Sequence, residues 1–240
     1  MRLLNVATKM LEVHSRPPSY AILSHRWRDG EIQFQDVHQP HAVKMAGYAK
    51  LERCCVQAIK DGYRFVWIDT CCIDKSSSAE LSEAINSMYS WYQNAEVCYA
   101  YLDDVPSSEN PDIPKSAFSQ SVWFTRGWTL QELIAPESVI FFAMDWKEIG
   151  SKASLASTIS RITHVEPGVL LSRLTGEVSV LRRMSWAAQR QTTREEDRAY
   201  SLMGLFGVNM PTIYGEGNNA LVRLQLEIVR TSNDQSIFAW

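Results

Sequence analysis

One short segment near the middle of the chain combines residue types that could act on a nucleotide. Between Trp123 and Leu133, three aromatic residues, an arginine and a glutamate fall within eleven positions. Trp128 and Glu132 are four residues apart, so a helix would place them on the same face. An aromatic ring can stack on a flat heterocycle, and a partly buried carboxylate can bind a ribose hydroxyl or stabilise developing positive charge. The same spacing is also typical of a core residue beside a solvated one.

Two other polar segments directly follow apolar runs that are typical of buried strands. Residues 24–29 read Ser-His-Arg-Trp-Arg-Asp, and residues 69–74 read Asp-Thr-Cys-Cys-Ile-Asp. In open α/β sheets, ligands bind at the carboxyl ends of the strands, so both segments are candidates for a binding site. A structural interpretation remains open, in which Asp69 and Asp74 cap loops and Trp27 packs at a corner.

The first 150 residues alternate between strand and helix patterns. Apolar runs predict strands, and apolar residues at three- and four-residue spacing predict helices. The predicted strands are residues 20–24, 65–69, 97–102 and 139–143, and the predicted helices are residues 43–59, 80–94 and 128–134. This alternation predicts a mostly parallel sheet with right-handed crossovers and helices on its faces.

After about residue 150 only helical patterns follow. They predict helices at residues 151–162, 168–174, 179–189, 195–206 and 218–231. Thr193 with Glu196 three positions later matches a capping box. No segment rich in Gly, Ser or Pro separates the halves, so we expect one domain over residues 1–240: an α/β core at 1–150 and a mainly helical extension at 151–240 packed on it.

Composition excludes several classes of function. The 240 residues include 24 Lys plus Arg against 27 Asp plus Glu, which leaves no basic surplus for nucleic-acid binding. No apolar run approaches the ~20 residues of a membrane span, and the N-terminus lacks a secretory signal, so we expect a cytoplasmic protein. The five cysteines and five histidines form no metal or disulfide pattern; we predict reduced core cysteines and no metal site.

Three minor features have alternative interpretations. Cys72 and His25 follow neighbouring strands and could form a thiol–imidazole pair, although the apolar surroundings of the thiol disfavour it. Gly215-Glu216-Gly217 could bind an anion before a helix, but it lacks the glycine patterns of phosphate loops and is more simply a loop. The mixed charges at residues 194–198 are most simply a solvated helix start.

Several long motifs in fixed order resemble the HET (heterokaryon incompatibility) domain of filamentous fungi. The resemblance covers nearly the whole chain. Its carriers are MRLLNVAT at 1–8, YAILSHRW at 20–27, FVWIDTCCIDK at 65–75, SMYSWYQNAEVCYAYLDDV at 87–105, WFTRGWTLQELIAP at 123–136 and the block at 183–229 that begins RMSWAAQRQ. In the subgroup that this last block resembles, the HET domain often precedes a nucleotide-binding STAND module, so such a module is an expected partner in a longer chain.

HET domains in turn look like remote relatives of TIR domains, which have a flavodoxin-like sheet. The segment 126–133 is similar to the TIR motif S-x-W-C-x-x-E-L, whose Glu is catalytic in the NAD-cleaving members. Trp128 and Glu132 match in register, whereas Thr129 replaces the Cys and Arg126 stands where the Ser would be. The resemblance also implies roles for the loop from Ser24 to Trp27 and for Asp69.

The resemblance therefore implies hydrolysis of the nicotinamide N-glycosidic bond of NAD, with NAD as substrate and no cofactor. Glu132 is expected to hold the ribose hydroxyls and stabilise the oxocarbenium-like centre. Trp128 or Trp27 would stack on a ring, and Arg26 or Arg126 would contact a phosphate. Ser24, His25 and Asp69 complete the predicted substrate-binding set.

A second hypothesis is a non-enzymatic module that triggers cell death by homotypic assembly. Both hypotheses predict a homo-oligomer, and the fold alone does not separate them. An adaptor has no need for an acid beside a tryptophan in a cleft, whereas an enzyme does. Tyr214 and Glu216 are further candidates to cover such a cleft, since the family block includes them.

Overall fold

A seven-stranded sheet forms the centre of the protein, in a computed structural model that describes residues 1–172 and 178–239. Its strand order is β2-β1-β4-β3-β5-β6-β7. The strands are β1 (Arg2–Asn5), β2 (Leu11–Val13), β3 (Ala21–His25), β4 (Phe65–Trp67), β5 (Val97–Tyr101), β6 (Val139–Phe142) and β7 (Glu148–Ser151).

Helices flank this sheet. Those that the structure describes are α1 (Tyr48–Lys60), α2 (Ser78–Gln93), α3 (Ala117–Gln120), α4 (Thr129–Ile134), α5 (Ala156–Thr163), α6 (Pro167–Ser172), α7 (Val180–Ala187), α8 (Asp197–Tyr200), α9 (Met203–Phe206) and α10 (Asn219–Thr231). Short 3₁₀ segments occupy Ala42–Lys44, Val122–Thr125 and Gln235–Ala239. In the described part of the chain, no helix has the length and apolar character needed to cross a membrane.

The centre of the sheet is parallel, as the alternating pattern predicts. Strand β3 pairs in parallel with β4 and β5, and β5 pairs in parallel with β6. All five residues of β3 are buried, which explains why its sequence is continuously apolar up to Leu23 instead of alternating. The four predicted strands are therefore confirmed, and they lie in the order second, first, third, fourth.

Three strands at the edges of the sheet are not in the sequence prediction. Strand β1 pairs antiparallel with β4 and with β2, and β7 pairs antiparallel with β6. Leu3 and Leu4 are fully buried in β1, yet three- and four-residue strands show too little periodicity to be recognised. Only β1 has a partner that is distant in sequence, β4, whereas β2 and β7 pair with the strands next to them in the chain, β1 and β6.

Several predicted helix boundaries are wrong. The helix predicted at 43–59 begins at Tyr48, and the one predicted at 195–206 consists of α8 and α9 with a break between them. The predicted capping box is absent, because the Glu196 side chain makes no capping bond to its own helix. Of the helix predicted at 168–174, Arg173 and Leu174 lie outside the described residues.

The C-terminal helices pack against the α/β part through close backbone approach. An added Cβ at Gly204 in α9 would lie 2.1 Å from Cβ of Tyr89 in α2, a distance that atoms cannot adopt. Beside this contact, Asn86 donates to the Met210 carbonyl at 3.2 Å and accepts from the Met210 amide at 3.2 Å. Glycine at position 204 therefore sets how closely the two parts approach.

We expect Gly204→Ala to lower the free energy of unfolding by about 1–3 kcal/mol, because α9 must move away from α2. Gly168→Ala is the matched control: a Cβ there meets nothing within 4 Å and the position is helical. That variant should be neutral or slightly more stable. Urea unfolding followed by circular dichroism measures both, and equal stability of the two variants would contradict the packing argument.

Candidate functional site

A cavity of about 300 Å³ lies where strands β3 and β4 end. His25 is the last residue of β3, and Asp69 follows β4 by two positions. Side chains from both the α/β part and the C-terminal part line the cavity. They include His25, Trp27, Asp69, Lys75, Arg126, Trp128, Glu132, Arg194, Asp197 and Tyr214.

Glu132 is held at the wall of this cavity by a short chain of hydrogen bonds. The Ser24 hydroxyl donates to Glu132 Oε2, and the Trp123 indole N–H donates to Ser24 Oγ at 2.8 Å. All three side chains are buried, with Glu132 only 6% exposed. The Tyr92 hydroxyl is a further hydrogen-bonding neighbour of the carboxyl group. Ser24, on the side away from the cavity, thus holds Oε2 of Glu132 in place while the Glu132 side chain lines the cavity.

The environment of Glu132 favours the neutral acid. Burial, assisted by the nearby negative charge of Asp69, raises the pKa of Glu132 to about 8. The hydrogen bond from Ser24 and the charge of Arg126 oppose the shift without cancelling it. A carboxyl group with a pKa near neutrality in a cavity is a common feature of functional sites.

Asp69, on another wall of the cavity, is in contrast stabilised as the ionised carboxylate. Its Oδ1 lies 2.9 Å from His25 Nε2, and its Oδ2 accepts a bond from the Trp27 indole at 2.7 Å. Burial alone would raise the pKa of Asp69, but these bonds and the charges of His25 and Lys75 hold it below its usual value. The Lys75 ammonium lies 3.9 Å from the centre of the Trp27 ring, a cation–π contact that orients the ring.

The C-terminal part supplies a further wall, for which the sequence indicated Tyr214 but not Arg194 or Asp197; Glu216, the other candidate from the sequence, does not line the cavity. Asp197 accepts hydrogen bonds from Trp128 and from the Tyr214 hydroxyl, the latter at 3.0 Å, while burial raises the pKa of this carboxyl group. The Arg194 guanidinium lies 4.3 Å from the centre of the Tyr214 ring. The charge run at 194–198 does contain an exposed helix start, because α8 begins at Asp197, but Arg194 and Asp197 also line the cavity.

The segment before α4 is attached to the C-terminal part by backbone hydrogen bonds. The Gly127 amide donates to the Gln191 carbonyl at 2.8 Å, and the Gln191 amide donates to the Thr125 carbonyl at 2.7 Å. A Cβ at Gly127 would lie 2.5 Å from the Thr192 methyl group, so only glycine permits this approach. The turn that carries Trp128 into the cavity is thus clamped between the two parts of the chain.

Six of the eight predicted site residues line this one cavity: His25, Trp27, Asp69, Arg126, Trp128 and Glu132. Ser24 lies behind it as the hydrogen-bond donor to Glu132. Arg26 does not line it; its guanidinium pairs with Asp103 at 2.9 Å. Successive side chains of an extended chain point to opposite sides. His25 and Trp27 therefore lie on the side of the cavity, and Ser24 and Arg26 lie on the other side.

The structure does not support the minor alternatives. Cys72 is buried and its Sγ accepts from the Ile68 amide at 3.4 Å, while Nε2 of His25 bonds to Asp69, and these two described side chains form no hydrogen bond with each other. The amides of Gly215 and Gly217 do bind an anion, but it is the Glu196 carboxylate, at 2.7 and 3.1 Å. Among residues 1–172 and 178–239, no three His, Cys, Asp or Glu side chains are grouped to hold a metal ion.

The fold is that of an α/β domain, and a cavity at the carboxyl ends of parallel strands, with aromatic walls and a few convergent charged groups, is where such domains commonly bind small molecules. The profile of the family described as "Heterokaryon incompatibility protein (HET)" matches residues 20–113. The chain belongs to this HET family. The matched range contains Ser24 to Trp27 and Asp69 but ends before Trp128 and Glu132.

The chain is similar to the vegetative incompatibility protein HET-E-1 of Podospora anserina. The two are 50% identical over 219 residues, which make up 88% of this chain but 16% of the relative. The chain thus spans a small fraction of that protein's length. No solved structure matches the chain.

Proposed function

We propose that this HET domain acts in fungal self/non-self recognition and cell-death signalling by hydrolysing the nicotinamide N-glycosidic bond of NAD. The observation that carries the proposal is Glu132, buried beside Trp128 on the wall of a cavity and bonded from behind by Ser24. The strand order second, first, third, fourth begins the flavodoxin-like order 2-1-3-4-5, which supports the TIR-like interpretation. The similarity to a vegetative incompatibility protein supports the signalling role.

The charged side chains of the cavity suit a ligand that carries both positive and negative charge. Asp69, Glu132 and Asp197 supply acidic groups for a cationic pyridinium ring and for ribose hydroxyls. Arg126 and Arg194, which line the same cavity, are suited to a diphosphate. A volume of about 300 Å³ accommodates a nicotinamide riboside portion more readily than a whole dinucleotide.

Bond cleavage in this site requires little proton transfer. Nicotinamide leaves as a neutral molecule from a cationic ring, so no general acid is needed, and the enzyme must stabilise the positive ribosyl centre. Ionised Glu132 performs this task, with Trp128 or Trp27 stacked on a ring. Water then adds to the anomeric carbon of the ribosyl centre and loses a proton, which gives ADP-ribose. Because the pyridinium charge favours the ionised carboxylate, binding of NAD lowers the pKa of Glu132 and releases its proton.

Assembly is the second candidate, and one observation favours it. Val222, Leu226 and Val229 recur at helical spacing along α10 and are 52%, 56% and 44% exposed. Such an apolar stripe suits contact with another copy of the domain. A non-enzymatic module and an NADase exclude each other, but assembly is compatible with both, and we propose an NADase that works as a homo-oligomer. The length of HET-E-1 supports a setting in a longer chain, for which we propose a STAND module as partner.

The experiment is NAD consumption at high protein concentration, with nicotinamide and ADP-ribose separated by chromatography. We expect cleavage by the wild type and a loss of about a thousandfold in Glu132→Ala. Glu137→Ala is the matched control, because Glu137 is an exposed acid five residues further on and does not line the cavity. The proposal is wrong if the wild type, including forced oligomers, leaves NAD intact, or if Glu132→Gln cleaves as fast as the wild type.

A further inference from the structure

A second, smaller cavity lies directly behind the turn that carries Trp128. Its volume is about 60 Å³, enough for a few water molecules or one small oxyanion and too small for a nucleoside. Gly127 and Thr192 line both cavities and form the partition between them. We name it the rear cavity; its walls are Gly127, Met184, Ala187, Ala188, Arg190, Thr192, Arg198, Ser201, Leu202 and Leu221.

The polar side chains of the rear cavity can all donate hydrogen bonds, and none of those described is acidic. Two arginines and two hydroxyl residues line it, and no acidic residue of the described chain does. The main cavity differs, because both acidic and basic side chains line it. Guanidinium and hydroxyl groups are hydrogen-bond donors to oxyanions.

Arg190 is a buried guanidinium that forms no ion pair with a described residue, although the charge of Glu132 acts on it from beyond ion-pair distance. The residue is 8% exposed, and burial lowers the pKa of its side chain to about 9. Its bonds go to neutral acceptors: Nη1 donates to the Arg126 carbonyl at 2.8 Å and to Thr129 Oγ1 at 2.9 Å, and Nε donates to the Trp186 carbonyl at 3.3 Å. Its buried Nη2 has no hydrogen-bond partner. An unpaired donor on a buried cation is costly unless an anion satisfies it.

We propose that the rear cavity binds a small inorganic oxyanion of the size of phosphate, with Arg190 and Arg198 as its cationic donors. The side chain of Arg198 is exposed, so the ion can enter from solvent. The bound ion neutralises Arg190, which at the same time holds the carbonyl of Arg126 and the hydroxyl of Thr129. The site therefore stabilises the turn from which Trp128 and Glu132 project, and it does so whether or not the domain cleaves NAD.

The test is a titration of the 240-residue chain with inorganic phosphate, followed by the ¹⁵N resonances of the arginine side chains. We expect a saturable shift of Arg190 with a Kd of about 1 mM, in the range that two charge-assisted contacts allow. Phosphate should also raise the unfolding midpoint by mass action. Absence of a saturable Arg190 shift would overturn the proposal.

Variants separate this site from other positive patches. Arg198→Met should weaken phosphate binding about tenfold and still fold, because Arg198 is exposed; Arg190→Met should abolish it. Arg230→Met is the matched control, since Arg230 is an exposed arginine that pairs with Glu227 on α10. Equal weakening by Arg230→Met would mean non-specific screening. Binding lost in Arg126→Met but kept in Arg198→Met would put the ion in the main cavity. Either outcome overturns the proposal.

Discussion

Replacing Glu132 by glutamine should make the protein more stable at pH 9 while leaving it nearly unchanged at pH 5. The folded pKa of about 8 lies above the usual value for a glutamate, so the folded state binds the proton more tightly than the unfolded state does. Between these two pKa values, stability falls as pH rises, because folding then requires burial of an ionised carboxylate. Glutamine resembles the neutral acid and removes this cost, which amounts to several kcal/mol, up to about 5, at pH 9.

Urea unfolding at a series of pH values measures the effect as the difference between variant and wild type, in which the other titrating groups cancel. Ser116→Ala is the control, because it removes a buried serine outside the cavity and no ionisable group, so its difference from the wild type should stay constant with pH. A Glu132→Gln difference that also stays constant would mean that the carboxylate ionises as easily in the folded state as in the unfolded one. This test does not depend on any enzymatic activity.

The second large effect concerns the pH dependence of NAD cleavage. If ionised Glu132 stabilises the ribosyl centre, kcat/KM rises about tenfold per pH unit up to pH 8 and then levels off, because it reports the free protein. The rise in kcat should occur at lower pH, since the bound pyridinium ring favours ionisation. A kcat/KM rise centred near pH 4 to 5 would show that the reacting group is an ordinary exposed carboxylate.

Ser24→Ala sharpens this test. Loss of the Ser24 hydroxyl removes a hydrogen bond that lowers the pKa of Glu132, so the rise in kcat/KM should move upward by about one pH unit. The same change leaves the buried indole N–H of Trp123 without its acceptor, which lowers stability. Ser116→Ala is the control: this buried serine caps α3 and does not line the cavity, so its loss lowers stability without moving the pH profile.

Sequence patterns identified the part of the site that local chemistry determines. The spacing of Trp128 and Glu132 on one helix face, and the position of Asp69 just after a buried strand, made these residues candidates. The resemblance to TIR domains assigned them to one site, and the structure places all three at one cavity. Neither pattern required knowledge of distant contacts. The four central strands were found for the same reason, because each is a continuous apolar run.

The site residues that the sequence did not indicate are positioned by contacts between segments that are distant in the chain. Lys75 lies over the Trp27 ring, and Asp197 receives bonds from Trp128 and Tyr214, but nothing in their own neighbourhoods indicates these partners. Arg26 and Arg126 were equivalent candidates for a phosphate contact, because their charge alone does not show whether each side chain points into the cavity. Strand alternation could have separated them, since it puts Arg26 on the side opposite His25.

The clamp between the turn before α4 and the Gln191 segment also determines where the domain can be divided. A fragment that ended with the matched family range, at residue 113, would lack Glu132, and one that ended at 150 would lack Asp197 and Tyr214. Chimaeras that exchange only the α/β half between two HET proteins would join mismatched halves of one cavity wall. Recombination that preserves this site must therefore transfer both halves together.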